Sequence, residues 1–345
     1  MTGVPGLDVA GLTAWLREAH PDLAADELTA EVIAGGRSNL TYAVDGARTP
    51  LIVRRPPLGH VLSSAHDMRR EHRVISALAD TAVPVPRTVD VVDDTATGRV
   101  TGTVFFVMER APSVVLARPS QNSAYTATGL RGLSMDLVHC LADLHAVDPA
   151  AVGLADFGRP DGYLARQLST WRRQLDASRS RATPALDALQ ESLADGMPRS
   201  PRTAIVHGDF RLDNALVVGG TDDPRISAIL DWEMATLGDP FVDLGIFALY
   251  WDISDLPGGF AGAVPSAVDP AAGYPSFDEL VEVYAQRAGI GIPDLRWYRA
   301  FAAYKLAVLL VGIHYRFQAG DTVGEGFDRM GALVEPLAQK GLEVR

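Results

Sequence analysis

Near residue 110 the chain turns from a mostly strand-like to a mostly helical pattern, and that change limits what it can fold into. Before it, apolar and β-branched runs at 31–33, 40–44, 51–54, 89–92 and 104–108 are broken by turn residues, as strands are. A helical pattern interrupts them, from a cap at Ser63 or Ser64 to Leu78, with Met68, Val74, Ile75 and Leu78 on its apolar side. Pro84 and Pro86 stop it. A shorter helix over 8–20, capped by Asp8, precedes the strands. After Glu109-Arg110-Ala111-Pro112 the pattern turns helical, at 134–146, 164–177, 185–194, 241–251, 277–288, 297–313 and 327–338. Short strands are expected at 204–206, 215–218 and 226–230, and a Gly/Pro/Ala-rich loop bordering a cleft at 256–275. The sum predicts an α+β chain: a small five-stranded lobe with one main helix over 1–110, and a larger, mostly helical lobe over 111–345.

Charge and cysteine use narrow the function classes. A formal net charge of -12 argues against a nucleic-acid partner and an anionic membrane surface. One cysteine, Cys140, in an apolar helical pattern, leaves no disulfide within the chain and fits a reducing cytoplasm. No signal peptide is visible, and no stretch approaches the ~20 apolar residues of a membrane span; the longest run, 306–313, reads as a buried helix segment. A cytoplasmic monomer or homodimer is the expectation. Lysine is confined to Lys305 and Lys340, against 29 arginines.

The chemistry is concentrated in two segments. Val206-His207-Gly208-Asp209-Phe210-Arg211-Leu212-Asp213-Asn214 reads H-G-D-x-x-x-x-N, and an apolar run from Ile226 to Leu230 ends in Asp231-Trp232-Glu233. A protein kinase needs the same parts in the same order. An Asp takes the hydroxyl proton, an Asn five positions on holds a metal, and a later Asp bridges that metal to the phosphates. Asp209 is therefore the candidate base. Asn214 and Asp231, with hard oxygen ligands, are the candidates for magnesium. His207 is read as a brace of the loop, as is Arg211. Trp232 is read as packing beneath it, and Glu233 as structural.

These segments, with Gly238-Asp239-Pro240-Phe241-Val242-Asp243-Leu244, resemble the aminoglycoside phosphotransferase-like superfamily of small-molecule kinases. Gly35-Gly36-Arg37-Ser38-Asn39-Leu40-Thr41-Tyr42 and Arg54-Arg55-Pro56-Pro57 look most like the subgroup fused to acyl-CoA dehydrogenases. The resemblance covers about residues 25–340. It implies a two-lobed protein kinase-like fold, ATP or GTP as donor, Mg2+, and stabilisation of the catalytic loop by Asp239 and Asp243.

Phosphate binding in such a fold needs a cation on the third strand, and no lysine precedes residue 305. Alternation lets only one of Arg54 and Arg55 face inward. Arg54 is chosen, with Glu71 as its helix partner; a guanidinium can chelate phosphate in place of an ammonium. Gly35, Gly36, Ser38 and Asn39 would bring backbone N–H groups to the phosphates. Glu109 and Ala111 of the hinge complete the nucleotide side.

Lys305, Gly312 and Arg316 follow one helix face; with Tyr250, Trp251 and His314 they would line the acceptor cleft. Lys305 and Arg316 would then hold an anionic group, or else be a snorkelling lysine and a surface arginine. The expected activity is transfer of a nucleotide γ-phosphate to a hydroxyl of a small molecule. The resemblance implies aminoglycosides, choline-like alcohols, sugars or hydroxyacyl thioesters as acceptors, with hydroxyacyl-CoA leading. A nucleotide-binding pseudokinase or ligand sensor is the alternative.

Overall fold

The computed structural model describes residues 4–24, 27–33, 39–58, 67–255, 264, 266–319 and 327–345. It divides into two compact units, Met1–Ser113 with Ala228–Glu233, and Val114–Ser227 with Met234–Arg345.

In the first unit α1 (Val9–Ala19) begins at Asp8, whose carboxylate accepts from the Gly11 N–H. There follow β1 (Thr29–Val32), β2 (Leu40–Asp45), β3 (Leu51–Arg55), α2 (Met68–Leu78), β4 (Thr88–Asp93) and β5 (Val104–Glu109). The five strands form one antiparallel sheet in the order β1-β2-β3-β5-β4. Its period-two alternation sorts β3 by face. Leu51 and Val53 pack with Tyr42, Val44, Phe105 and Val107 and with Leu12 and Leu16 of α1. The His72 ring of α2 meets Phe106 of β5 edge-on at 6.0 Å. Each fully buried Leu, Val or Phe in such a core contributes roughly 1.5–3 kcal/mol. Helix α2 starts at Met68, later than its expected cap: Asp67 caps it, taking the N–H groups of Arg69 and Arg70. Ser63 and Ser64 lie outside the described residues.

The second unit holds α3 (Ala127–Ala146), α4 (Tyr163–Ser178), α5 (Pro184–Asp195), β6 (Ala204–Val206), β7 (Ala215–Val218), the start of β8 (Arg225–Ile229), β9 (Thr236–Gly238), α6 (Phe241–Trp251), α7 (Phe277–Ala288), α8 (Arg296–Gln318) and α9 (Val334–Val344). Helices α6 and α7 keep their expected bounds. Helix α3 starts seven residues before its expected start, at a Thr126 cap; Gly129 and Gly132 in its first turns blur the apolar period. The expected helix at 327–338 is instead a 3-10 turn, Phe327–Leu333, followed by α9. Strand β9 was not anticipated; its three residues pair antiparallel with β6. Helix α6 is buried along nearly its whole length. At Gly245 a Cβ would stand 2.3 Å from the Tyr298 carbonyl oxygen, so glycine is what lets α8 approach. By length and composition α8 could cross a membrane, contrary to the sequence reading, but 61% of its apolar window is buried inside the fold.

Candidate active site

In the second unit the H-G-D segment leaves β6 and turns sharply. Gly208 has φ +86°, and a Cβ there would meet Met234 at 2.9 Å, so only glycine takes this turn without strain. The turn is held from within by Asp243 of α6. Its fully buried carboxylate accepts from the N–H groups of His207 (2.7 Å) and Gly208 (2.8 Å), and bonds the His145 imidazole at 3.1 Å. His145 is oriented in turn by the Tyr284 hydroxyl at 2.8 Å. Burial alone would raise the Asp243 pKa. The hydrogen bond and charge of His145, the charge of His207 and the Gly208 N–H outweigh it and hold the carboxyl below its usual range. His207 accepts the Asp209 N–H at Nδ1 (3.2 Å), and its ring meets Phe210 edge-on. It braces the loop.

The loop presents Asp209 with its side chain 20% exposed. Asn214, five residues on, donates its amide to the Asp209 carbonyl (2.9 Å) and carboxylate (3.0 Å). Arg211 places Nε 3.3 Å from the same carboxylate and Nη1 3.2 Å from Asp213, and its guanidinium lies 4.6 Å from the Tyr250 ring centre. Asp209 borders a shallow concavity with Ile246, Leu249, Tyr250, Ala302, Lys305 and Leu306. A second is bordered by Arg211, Asp213, Phe247, Tyr250, Trp251 and Ser266.

The acceptor-side candidates separate. Lys305 is buried. Its ammonium donates to the Gly208 carbonyl, lies 3.5 Å from Met234 Sδ and faces the Trp171 ring at 5.4 Å. Arg316 is exposed in the last turn of α8, eleven residues or roughly 16 Å along the helix from Lys305. The pairing of these two around one anion is therefore not what this helix provides. His314 stacks on Phe317 and packs against Gly331, and it borders neither concavity. Trp251 is buried, with its indole N–H on the Pro275 carbonyl. Asp239 serves the start of α6 and the α8 contact, accepting from the Phe241 N–H (3.0 Å) and the Tyr298 hydroxyl (2.8 Å).

In the first unit Arg54 reaches Glu71 of α2 at 3.1 Å and Asp231 at 3.0 Å. Arg55 points to the opposite face, where it holds the carbonyls of Gly6 (2.7 Å), Thr101 (3.0 Å) and Pro56 (2.9 Å). Asn39 donates to Glu233 at 3.0 Å, so its amide reaches the same acidic group rather than standing as an isolated phosphate ligand. Trp232 is buried, its indole N–H on the Ile229 carbonyl. Asp231 is the sole non-glycine residue with positive φ among those described, +65°. Holding it there costs of order 1–3 kcal/mol, a strain typical of functional positions. Glu109 ends β5 and pairs with Arg87 at 3.4 Å; Ala111 is exposed. Gly35, Gly36 and Ser38 lie outside the described residues.

Among the described residues no group of three or more His, Cys, Asp or Glu is arranged to hold a metal ion. Glu71, Asp231 and Glu233 act on the single guanidinium of Arg54, which leaves an excess of negative charge. Burial, opposed by Arg54 and reinforced by Asp231 and Glu233, pushes the Glu71 carboxyl up to about 7. Arg54 takes Asp231 Oδ1.

A five-stranded antiparallel sheet with an Arg–Glu pair between strand and helix, joined in one chain to a helical unit carrying this H-G-D loop, defines a kinase-like phosphotransferase fold. The sequence profile of the phosphotransferase enzyme family matches residues 29–301, and the chain belongs to that family. It is 34% identical over 316 residues to mouse acyl-CoA dehydrogenase family member 10, covering 88% of this chain and 28% of that protein. With chicken acyl-CoA dehydrogenase family member 11 it shares 32% over 343 residues, 94% of this chain and 41% of the relative. The chain thus spans less than half the length of these two relatives. Among solved structures, a protein from Ralstonia eutropha provisionally named an aminoglycoside phosphotransferase superposes with TM-score 0.82 at 32% identity, covering 98% of both chains. The fold is shared, at TM-score 0.62 and 15% identity over 97% of this chain and 98% of the other, with aminoglycoside phosphotransferase APH(4)-Ia in a ternary complex with AMP-PNP and hygromycin B.

Proposed function

We propose that the chain is a small-molecule kinase that moves the γ-phosphate of ATP or GTP to a hydroxyl group. The observation that carries this reading is Asp209. Its carboxylate opens into a concavity while Asp243 pins the preceding loop amides and Asn214 fixes its orientation. A carboxylate so held can accept a hydroxyl proton with little reorganisation.

In the step, the acceptor oxygen bonds to the γ-phosphorus and the bond from that phosphorus to the bridging oxygen breaks. The nucleoside diphosphate leaves with the electron pair, and the hydroxyl proton passes to Asp209. Arg54, kept in place by Glu71, would bind donor phosphate oxygens. Asn214 and Asp231 are the residues that would hold magnesium. When bound, magnesium would offset negative charge on the phosphates. Lys305 holds the Gly208 carbonyl and so steadies the peptide that precedes Asp209.

For the acceptor we propose a hydroxyacyl-CoA ahead of an aminoglycoside, a choline-like alcohol or a sugar. The names of the relatives support that order; a Lys305–Arg316 anion site does not. The test is nucleoside diphosphate release with ATP and with GTP, each with magnesium, across kanamycin, choline, glucose and a hydroxyacyl-CoA. Turnover with one acceptor and formation of its phosphate ester is expected. Tight nucleotide binding with no transfer to any acceptor would instead support the ligand sensor.

A further inference from the structure

The concavity that Asp209 borders and the second one share Tyr250. Three pieces of chain surround the second: the loop after Asp209 through Arg211 and Asp213, helix α6 through Tyr250 and Trp251, and the segment 266–275 through Ser266 and Val268. That segment has only a three-residue 3-10 turn of its own, Pro270–Ala272, so other parts of the chain must hold its backbone. Asn122 does so. It comes from a distant 3-10 turn, Pro119–Ala124, and is 7% exposed. Its amide nitrogen donates to the Ala267 carbonyl (2.8 Å), and its amide oxygen accepts from the Tyr274 hydroxyl (3.0 Å). Both ends of one buried side chain are thus engaged by one segment. Gly273 seats the segment against α3: at its φ of +114° a Cβ would stand 2.6 Å from the Ala127 Cα. Ala267 is fully buried, and its two neighbours, Ser266 and Val268, are the residues that reach the concavity.

We infer that segment 266–275 is the wall that receives the part of the acceptor remote from its reacting hydroxyl, and that Asn122 is the positioning residue that sets this wall. This rests on the phosphotransferase reading above. With its hydroxyl at Asp209, an acceptor that extends past Tyr250 enters the second concavity and meets Ser266 and Val268. Contacts so far from the reacting atoms are equally strong before and during transfer, so they govern KM rather than the rate of the step. Arg211 and Asp213 offset each other there at 3.2 Å, and Tyr250, Trp251 and Val268 supply aromatic and apolar surface. The lining therefore suits a neutral, largely apolar portion of the acceptor rather than a run of ammonium groups. Asn122 itself borders neither concavity. It acts through the backbone of Ala267, and its loss is felt where Ser266 and Val268 stand.

Full-length parent, Asn122→Ala, Tyr274→Phe and Ser266→Cys would be compared, with ATP and magnesium, against kanamycin, choline, glucose and a hydroxyacyl-CoA. For the acceptor that the parent phosphorylates, Tyr274→Phe removes one hydrogen bond and is expected to raise KM by roughly threefold to tenfold. Asn122→Ala removes two and should raise it further, with KM for ATP unchanged in both. The Ser266→Cys thiol reports on the wall directly, because the one native cysteine, Cys140, is buried and burial pushes its thiol up to about 12. The same acceptor should slow maleimide labelling of that thiol, and ATP alone should not. Equal acceptor KM in parent and Asn122→Ala overturns the inference, as does a rise of the same size in KM for ATP, which is what a merely structural amide would give. Labelling that none of the four compounds slows also overturns it, and this measurement decides should Asn122→Ala fail to fold. Labelling slowed by kanamycin alone refutes the neutral lining. A parent that transfers phosphate to none of the four, nor to water, refutes the phosphotransferase reading instead, a result distinct from an active parent with an indifferent variant.

Discussion

Replacing Asp243 by Asn tests whether the catalytic loop is held electrostatically or merely packed. The carboxylate accepts from two backbone N–H groups and bonds the His145 ring, all at zero exposure. Asn has the same shape, but one of its two terminal groups is a donor. At least one buried N–H then loses its acceptor and faces another N–H. An unsatisfied buried donor costs about 1–3 kcal/mol and a bond to a charged group is worth roughly 1.5–3 kcal/mol, so a loss of about 2–4 kcal/mol is expected. For a unit of this size that lowers Tm by roughly 5–15 °C. Turnover should fall as well, because Asp209 follows the two pinned amides. The pH dependence has a definite sign. Asp243 is held below the usual carboxylate range in the fold, so its contribution is present above the unfolded-state value and fades as pH drops through the folded one. Thermal unfolding of parent and Asp243→Asn from pH 7 down to the acid limit should show the gap narrowing at the acid end. Equal Tm values at pH 7 would falsify the claim that charge holds the loop.

Asp209→Asn should lower turnover by roughly 10²–10⁴-fold, as expected on losing a general base, while calorimetry finds nucleotide affinity nearly unchanged; turnover close to the parent's would remove Asp209 from the chemistry. Arg54→Ala should weaken nucleotide binding with a small effect on folding. Arg55→Ala should do the reverse, costing about 2 kcal/mol by freeing three carbonyls; urea unfolding and nucleotide titration of both variants would expose a swapped assignment. Glu71 is pushed up to about 7 in the fold. Its stabilising contribution is therefore full below the unfolded-state value near 4.5 and lost as pH rises through about 7, and without metal Glu71→Gln should show a flatter stability profile between those limits. An unchanged profile would mean that Glu71 ionises normally.

Some elements were legible because their causes are local. Helix α7 has its Ser276 cap and its left-handed Gly289 within its own stretch of chain. Asp209 and Asn214 are five residues apart, and one tight loop brings them together. Alternation along β3 separates Arg54 from Arg55, since neighbouring residues on a strand face opposite ways. Where local signals were weak the reading slipped. The glycines of α3 hid its first turns, the segment expected as one helix divides at Leu333 into a 3-10 turn and α9, and three-residue β9 has no alternation to display.

What the sequence determined by itself is the order of the candidate groups: Arg54 on the third strand, Asp209, Asn214 five positions on, and Asp231 at the end of a later apolar run. Tertiary structure alone decided how those groups are held. Asp243 reaches the loop amides across 35 and 36 positions, and His145 across 98. Lys305, left by the sequence as either an anion ligand or a snorkelling lysine, reaches Gly208 across 97 positions and becomes a prop under the loop. Asp231 takes a left-handed backbone, uncommon outside glycine though Asp tolerates it better than most residues. Such pairings are invisible in a sequence. The partner of a buried polar group is fixed by which elements the core packs side by side, and the penalty for leaving that group unpaired is incurred only once the core has closed.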